Sequence, residues 1–186
     1  MKLIFLRHGQ TNYNLKDLCN GRPNPKVRLT TLGRKQATAA ALKLKREPIE
    51  AIFISQLYRS RQTATIINKY HHVPVFMDKR INDRQMGRFE GKPAGLFYRW
   101  RDKQKNRWTC VIPDGGESYE HMKKRVASFL TNLNRKNKYK TVLIVTHEPI
   151  IKVARGFFKH LSNRQMDAPA LDNGTIMRFI IKRKKS

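Results

Sequence analysis

The chain has 186 residues, which is enough for one domain with a substantial core. Its 40 lysines and arginines outnumber 13 acidic residues and give a formal net charge of +27, which attracts anions and polyanions. No apolar run approaches membrane-spanning length, and the apolar start is too short for a secretory signal. Cys19 and Cys110 lack the spacing of a disulfide framework, so we expect reduced thiols and a cytoplasmic location.

The first half of the chain alternates short apolar runs with helical patterns. Residues 3–6 predict a buried strand, and the turn Arg7-His8-Gly9-Gln10-Thr11 follows it. Thr31 is a candidate cap for a helix that buries Leu32, Ala37, Ala40, Ala41 and Leu44 and closes at Glu47-Pro48. A strand at 51–55, a helix at 61–70 that turns Ala64, Ile67 and Tyr70 inward, and a strand at 73–77 come next.

The second half begins with an irregular or partly helical segment, residues 78–113. The clearest helix covers 117–135, with one apolar stripe formed by Tyr119, Met122, Val126, Phe129, Leu130 and Leu133. A strand at 141–146 leads to His147, Pro149 suits the first turn of another helix, and a strand at 175–181 closes the chain. This alternation predicts one α/β domain, residues 1–186, with a largely parallel sheet.

Three of these strands end beside residues that suit phosphate chemistry. His8 and His147 each follow a strand, and Ser55 ends a strand that leads to Arg59. If the strands are parallel neighbours, these side chains meet at one sheet edge, where α/β proteins bind ligands. Arginine forks match phosphate oxygens, and imidazole is a nucleophile, so a phosphoryl group is the expected ligand.

Two stretches concentrate the positive charge. Residues 99–108 interleave it with Trp100 and Trp108, and residues 182–185 are basic throughout. Such stretches bind nucleic acid or an acidic partner in some proteins, but without a recognisable binding motif a solvated surface is the favoured interpretation.

Seven sequence blocks, in order, resemble the histidine phosphatase superfamily, in its phosphoglycerate-mutase-like branch. The blocks cover almost the whole chain. The first three are the turn Arg7-His8-Gly9-Gln10-Thr11 together with Asn14, then Gly21-Arg22 together with residues 29–37, and then residues 55–64. The other four are Ile81-Asn82-Asp83 together with Gly87, Glu90 and Gly91, then residues 115–118, Val145-Thr146-His147, and residues 173–176. The resemblance implies a three-layer α/β/α sandwich with a largely parallel mixed sheet.

It also implies a mechanism. His8 would take the phosphoryl group covalently, while Arg7, Arg59 and His147 hold its oxygens and Asn14 and Gly21 lie at the same phosphate. Asp83 would protonate the leaving oxygen, although the family usually has Glu there, and Glu90 is the fallback acid. The scheme requires no cofactor and no metal. A metal site built from His8, His147 and Asp83 is the rival, but these residues lack close ligand spacing.

Besides Asp83, a second residue departs from the family pattern: Glu148 stands where the family usually has Gly. It would repel phosphate unless it points away, for example to complement a helix N-terminus. We also expect a lid at about residues 78–113, whose part 92–113 carries the aromatic side chains Phe97, Tyr98, Trp100 and Trp108.

The resemblance implies a phosphomonoesterase acting on a small phosphate ester or a phosphoprotein. A phosphoglycerate-type mutase and a non-enzymatic module that binds nucleic acid or another acidic partner are the alternatives. The intact His8 and Arg59 favour an enzyme. The physiological substrate and the oligomeric state stay open.

Overall fold

The computed structural model describes residues 1–136, 138–167 and 170–181. The basic stretch 182–185 lies outside these residues. None of the helices in the described part of the chain has the length and apolar character that a membrane crossing requires.

A five-stranded mixed sheet forms the centre of the fold. Its strands, in chain order, are β1 (Lys2–Arg7), β2 (Ala51–Ile54), β3 (Val75–Met77), β4 (Thr141–Thr146) and β5 (Ile176–Ile180). In space they are ordered β3-β2-β4-β1-β5, and only β5 at the edge is antiparallel to its neighbour. The predicted largely parallel sheet is therefore confirmed, although β3 and β5 are shorter than the apolar runs suggested.

Seven α-helices surround or connect these strands in the described residues. They are α1 (Asn12–Leu15), α2 (Thr31–Leu44), α3 (Tyr58–Asn68), α4 (Ala94–Asp102), α5 (Tyr119–Lys136), α6 (Glu148–Lys159) and α7 (Asn163–Asp167). Short 3₁₀ turns at Lys79–Ile81 and Gly87–Phe89 lie in the segment predicted to be irregular.

The sheet is covered on both faces because successive side chains of a strand point in opposite directions. Ile4 and Leu6 join the core that α2 and α3 cover, whereas Leu3 and Phe5 join the core that α5 and α6 cover. Such two-sided burial explains why the central strands are apolar throughout. The three-layer α/β/α arrangement is confirmed.

Some local expectations are wrong. Thr30, and not Thr31, caps α2, since its hydroxyl accepts a 2.9 Å hydrogen bond from the N–H of Gly33. Leu32 is half exposed because it lies on the outer side of the first turn. The third helix begins at Tyr58 and ends at Asn68, so Tyr70 lies beyond it and is exposed.

Candidate active site

The carboxyl ends of three adjacent parallel strands, β1, β4 and β2, place the site at one edge of the sheet. His8 follows β1, His147 follows β4 as the N-cap of α6, and Arg59 lies in the first turn of α3 after β2. The rings of His8 and His147 are 5.1 Å apart between centroids. The structure thus brings together the three residues whose convergence depended on neighbouring strands.

His8 is held as a neutral imidazole with a defined tautomer. Its Nδ1 lies 2.8 Å from the carbonyl oxygen of Gly9, which can only accept, so Nδ1 carries the proton. Its Nε2 accepts a 2.9 Å hydrogen bond from Nε of Arg59 and therefore carries a lone pair. Burial, aided by the charges of Arg59 and Arg7, lowers the pKa of His8 well below its usual value. A neutral imidazole with a lone pair on Nε2 is chemically able to act as a nucleophile.

The turn after His8 needs glycine because two backbone segments meet there. A Cβ on Gly9 would lie 2.2 Å from the carbonyl oxygen of Gly33 at the start of α2. The N–H of Gly9 donates to the hydroxyl of Thr63 on α3. The turn is therefore packed against both helices of one layer, which fixes the direction of the imidazole.

Arg59 is the centre of the hydrogen-bond network. Its Nη2 donates to Oδ2 of Asp83 and to the carbonyl oxygen of Asn20, both at 2.9 Å, and its Nη1 donates to Oδ1 of Asn20. The side chain is almost fully buried, and burial lowers its pKa, although Asp83 opposes that shift. Even so, an arginine stays protonated and supplies a fixed positive charge beside His8.

Asp83 reaches the site from the loop after β3. Burial raises the pKa of its carboxyl above the usual value, against the opposing effects of the Arg59 charge, the hydrogen bond from the N–H of Arg84 and the Arg7 charge. Its side chain is 21% exposed and lines the cavity, so the carboxyl is accessible to a ligand. A raised pKa favours the protonated form that a general acid needs.

His147 completes the cluster from α6. Its Nε2 lies 2.8 Å from the hydroxyl of Ser55, while its buried Nδ1 has no hydrogen-bond partner in the described residues and lies 3.4 Å from Oδ2 of Asp83. Burial lowers its pKa well below the usual value, helped by Arg59 and His8. A buried Nδ1 without a partner would donate to a ligand oxygen in the tautomer that carries the ring proton on that nitrogen.

Arg7 is paired with the unexpected carboxylate. Its Nη1 lies 3.1 Å from Oε2 of Glu148 and also donates to the carbonyl of Leu171. The other oxygen of Glu148 lies 2.8 Å from Nζ of Lys152, one turn later on α6. Glu148 stands in the first turn of α6, where an anion is favoured, but it faces Arg7 as well and lines the cavity.

The remaining predicted ligands divide into two groups. Asn14 lines the cavity, and because its Oδ1 accepts from Thr11, its amide nitrogen is the atom that faces a ligand. Gly21 is not among the lining residues, and its N–H donates to the carboxylate of Glu90. Glu90 also accepts from the N–H of Met86, which indicates a structural carboxylate rather than an acid at the site.

A cavity of about 290 Å³ is lined by Arg7, His8, Asn14, Arg59, Asp83 and Glu148, whereas His147 is fully buried and is not among the lining residues. The segment expected to form a lid supplies its outer wall, through Phe97 and Tyr98 of α4 and through Trp108. Arg101 and Arg107 of the same segment add positive charge. Among the described residues, no group of three or more His, Cys, Asp or Glu side chains has an arrangement that could hold a metal ion.

Three residues of the network were not found from the sequence as site residues in their own right. Asn20 anchors Arg59, the Ser55 hydroxyl contacts His147, and Arg125 of α5 holds the loop of Asp83. The guanidinium of Arg125 donates hydrogen bonds to the carbonyl oxygens of residues 80, 82 and 83, at 2.7, 2.8 and 3.1 Å. Contacts made through backbone carbonyls leave no motif that a single sequence reveals.

Comparison with known proteins identifies one protein family over almost the whole chain. The profile of the histidine phosphatase superfamily (branch 1) matches residues 3–186. The phosphatase PhoE of Bacillus subtilis, described as uncharacterized, is 30% identical over 145 residues, which cover 78% of this chain and 70% of that protein. An adenosylcobalamin/α-ribazole phosphatase of Salmonella typhimurium is 26% identical over 162 residues, covering 82% and 77%.

Solved structures agree on the fold. The crystal structure of the α-ribazole phosphatase from Shigella flexneri superposes with a TM-score of 0.86 at 24% identity, covering 98% of this chain and 92% of that chain. At that identity the likeness establishes the α/β architecture and not the substrate.

Proposed function

The chain belongs to branch 1 of the histidine phosphatase superfamily, and we propose that it hydrolyses phosphate monoesters through a covalent phosphohistidine on His8. It is an enzyme of the phosphatase class, as are the relatives that the comparisons name. The observation that carries the proposal is the tautomer of His8, whose Nε2 lone pair lies among Arg59, His147 and Asp83.

In the first step, Nε2 of His8 forms a bond to phosphorus while the bond from phosphorus to the leaving oxygen breaks. The phosphoryl group replaces the hydrogen bond from Arg59 to Nε2, and the Arg59 donors turn to its oxygens. Asp83 gives its proton to the leaving oxygen, so an alcohol departs and an aspartate carboxylate remains.

In the second step, a water molecule attacks phosphorus and gives a proton to the Asp83 carboxylate. The nitrogen–phosphorus bond breaks, inorganic phosphate leaves, and Nε2 recovers its lone pair. The hydrogen bond from Nδ1 to Gly9 keeps the proton on the other ring nitrogen in both steps. Asp83 ends protonated, ready for another cycle.

Charge stabilisation comes from fixed donors around the phosphoryl oxygens. Arg59 and Arg7 supply guanidinium groups, Asn14 supplies its amide nitrogen from the cavity lining, and the buried Nδ1 of His147 has no hydrogen-bond partner among the described residues. Such preorganised groups are the main source of catalysis in phosphoryl transfer. The net charge of +27 favours the encounter with anionic substrates in a salt-dependent way.

The substrate class that the relatives support is small phosphate esters, because the Salmonella typhimurium relative is named for the α-ribazole and adenosylcobalamin phosphates. No further choice among sugar phosphates, nucleotide-pathway phosphates and phosphoproteins is part of the proposal.

The test is hydrolysis of 4-nitrophenyl phosphate together with trapping of the acid-labile phosphoenzyme. We expect release of inorganic phosphate, incorporation of label from a ³²P-labelled phosphate ester, and loss of both in His8→Ala. Turnover that is unchanged in His8→Ala would disprove the covalent mechanism. Retention of the phosphoryl group on a second alcohol, with dependence on a bisphosphate primer, would instead identify a mutase.

A further inference from the structure

Arg84 stands out among the cations that line the cavity. Each other arginine or lysine of the lining, Arg7, Arg59, Arg101, Arg107 and Lys152, has a carboxylate oxygen within 4.0 Å. Arg84 has no carboxylate oxygen within that distance among the described residues, and it is buried, with only 8% of its surface exposed. Its Nε donates to the carbonyl oxygen of Glu117, and its buried Nη2 has no partner in the described chain. A buried guanidinium in this condition is costly unless an anion joins it.

A second unpartnered donor lies beside it. The hydroxyl of Tyr119, at the start of α5, is buried and makes no hydrogen bond within the described residues. Tyr119 lies two residues after Glu117, whose carbonyl oxygen accepts the 3.2 Å hydrogen bond from Nε of Arg84. Both side chains line the cavity, so an anion between them would accept from a guanidinium N–H and from a phenol O–H.

The position of this pair relates it to the leaving group. Arg84 directly follows Asp83, and its N–H donates a 2.9 Å hydrogen bond to Oδ1 of that carboxyl. Since Asp83 is the group proposed to protonate the leaving oxygen, Arg84 lies next to the part of the substrate that departs. The side chain of Glu117, whose carbonyl oxygen accepts from Arg84, is paired with Arg125.

The walls around the pair are aromatic. The guanidinium of Arg84 lies 5.4 Å from the ring centre of Phe97, and the Trp108 ring packs edge-on against Tyr119 at 5.0 Å. Phe97 and Trp108 also line the cavity and give it a polarisable, mostly apolar surface beside Arg84 and Tyr119. A ligand that fits has an apolar or aromatic spacer between two anionic ends.

We propose that Arg84 and Tyr119 form a subsite for a second anionic group, so that the preferred substrates are phosphate monoesters whose leaving group carries a carboxylate or another phosphate. This inference rests on the proposed function, because it assigns the leaving group of the same reaction. Nη2 of Arg84 and the hydroxyl of Tyr119 are buried although both side chains line the cavity, so an anion reaches them only when a neighbouring side chain moves.

The experiment compares substrates that differ only in the second charge. The probes are 3- and 4-carboxyphenyl phosphate and the corresponding phosphonophenyl phosphates, each measured against the neutral carbamoylphenyl phosphate of the same geometry. We expect kcat/KM to favour at least one anionic member of the series by tenfold or more. The larger ratio, with carboxylate or with phosphonate, identifies which anion the subsite takes.

The variants then assign the preference to the subsite. Arg84→Gln should reduce the anionic-to-neutral ratio to within about threefold of one, and Tyr119→Phe should reduce it by a smaller factor. Arg88→Gln is the matched control, because it removes one positive charge from the same segment at a residue outside the cavity lining. If Arg84→Gln does not fold, the ratio in Tyr119→Phe decides alone.

Two results would overturn the inference. One is a ratio near one in the wild-type chain, and the other is an equal loss on charged and neutral substrates in Arg84→Gln and Tyr119→Phe. In either case hydrolysis of the carbamoyl compounds would leave the proposed phosphatase function intact. The absence of hydrolysis and of phosphoenzyme with every probe would instead disprove the proposed function itself.

Discussion

Nη1 of Arg7 lies 3.1 Å from Oε2 of Glu148, so an arginine proposed to hold phosphate already has a carboxylate partner inside the cavity. The same carboxylate contacts Lys152 and accepts from the N–H of Leu171. A phosphoryl group must therefore share Arg7 with Glu148 or displace it. We therefore expect Glu148 to weaken the binding of phosphate by repulsion and by competition for one guanidinium.

Glu148→Gln is accordingly expected to tighten the binding of inorganic phosphate. Removing the charge ends the repulsion, while the amide oxygen still accepts from the N–H of Leu171. We expect the inhibition constant of phosphate to fall about threefold to tenfold, the larger value corresponding to roughly 1.4 kcal/mol. The measurement is competitive inhibition of 4-nitrophenyl phosphate hydrolysis. Glu50→Gln, an exposed carboxylate before β2 and outside the cavity lining, is the control.

The opposite result has a clear meaning. Weaker phosphate binding in Glu148→Gln would show that the carboxylate holds Arg7 in its working position, and the competition described above would be wrong. Glu148→Gly, which restores the residue usual in the family, should then weaken binding as well.

Asp83 and Glu90 can be separated by the leaving group. Asp83→Asn removes the proposed acid, so hydrolysis of propyl phosphate, which has a poor leaving group, should fall about a hundredfold or more. Hydrolysis of 4-nitrophenyl phosphate should fall much less, because nitrophenolate departs without a proton. The ratio of kcat/KM for the two esters is the measurement.

Glu90→Gln should leave that ratio unchanged and lower stability instead. The Glu90 carboxylate accepts from the N–H groups of Gly21 and Met86, and an amide satisfies these donors less well. A loss of about 1 kcal/mol in the free energy of unfolding is expected from urea denaturation. If only Glu90→Gln changes the leaving-group ratio, Glu90 is the acid and the assignment to Asp83 is wrong.

The sequence predicts the parts of this site that follow directly from strand order. His8 and His147 each come immediately after an apolar strand, and the pairing of β1 with β4 brings them together. Arg59 needs only one further turn of helix after β2. These residues were found because sequence position and spatial position are linked at the carboxyl ends of parallel strands.

Other parts of the site depend on contacts between distant elements. Arg125 lies on the polar side of α5, and nothing in its spacing indicates that it reaches the carbonyl oxygens of the Asp83 loop. The pairing of Arg7 with Glu148 depends equally on how α6 leaves the sheet. Side-chain reach of this kind is set by packing, which local patterns do not encode.

The N-cap of α2 shows the same limit on a smaller scale. Two consecutive threonines stand where the helix begins, and the hydroxyl of Thr30 is the one that accepts from the N–H of Gly33. Thr30→Ala is expected to lower the free energy of unfolding by about 1 kcal/mol, whereas Thr31→Ala, at an exposed helical position, should change it by less than about 0.5 kcal/mol. Thermal or urea unfolding of the two variants measures the difference. Equal losses would place the cap elsewhere.

Arg125 is expected to act as a positioning residue for Asp83. Arg125→Gln frees the carbonyl oxygens of the loop, so Asp83 should be misplaced and kcat for propyl phosphate should fall about tenfold, with KM changed by less than about threefold. The rate with 4-nitrophenyl phosphate, which needs no acid, should fall much less. Arg135→Gln, an exposed arginine near the end of the same helix, is the matched control. Equal losses with both esters would indicate general destabilisation and contradict a positioning role.

The pH dependence of kcat/KM follows from the opposite shifts of His8 and Asp83. Burial lowers the pKa of His8 well below 6.5. The neutral nucleophile therefore persists at pH values below the pKa of an ordinary histidine. Burial raises the pKa of Asp83 above 3.8, and its acid form is lost as the pH rises through that raised value. The lowered pKa of His8 extends the active pH range downwards, and the raised pKa of Asp83 extends it upwards, so for propyl phosphate the two shifts together widen the range in which the neutral nucleophile and the protonated acid coexist.

The variant Asp83→Asn isolates the second effect, because ionisation of the substrate is common to both proteins. The ratio of kcat/KM in the wild type to that in Asp83→Asn should decrease as the pH rises through the pKa of Asp83, since a carboxylate gives no proton. With 4-nitrophenyl phosphate the same ratio should be closer to one and vary less with pH. A ratio for propyl phosphate that increases with pH would mean that Asp83 acts first as a base, and the proposed order of proton transfers would have to be reversed.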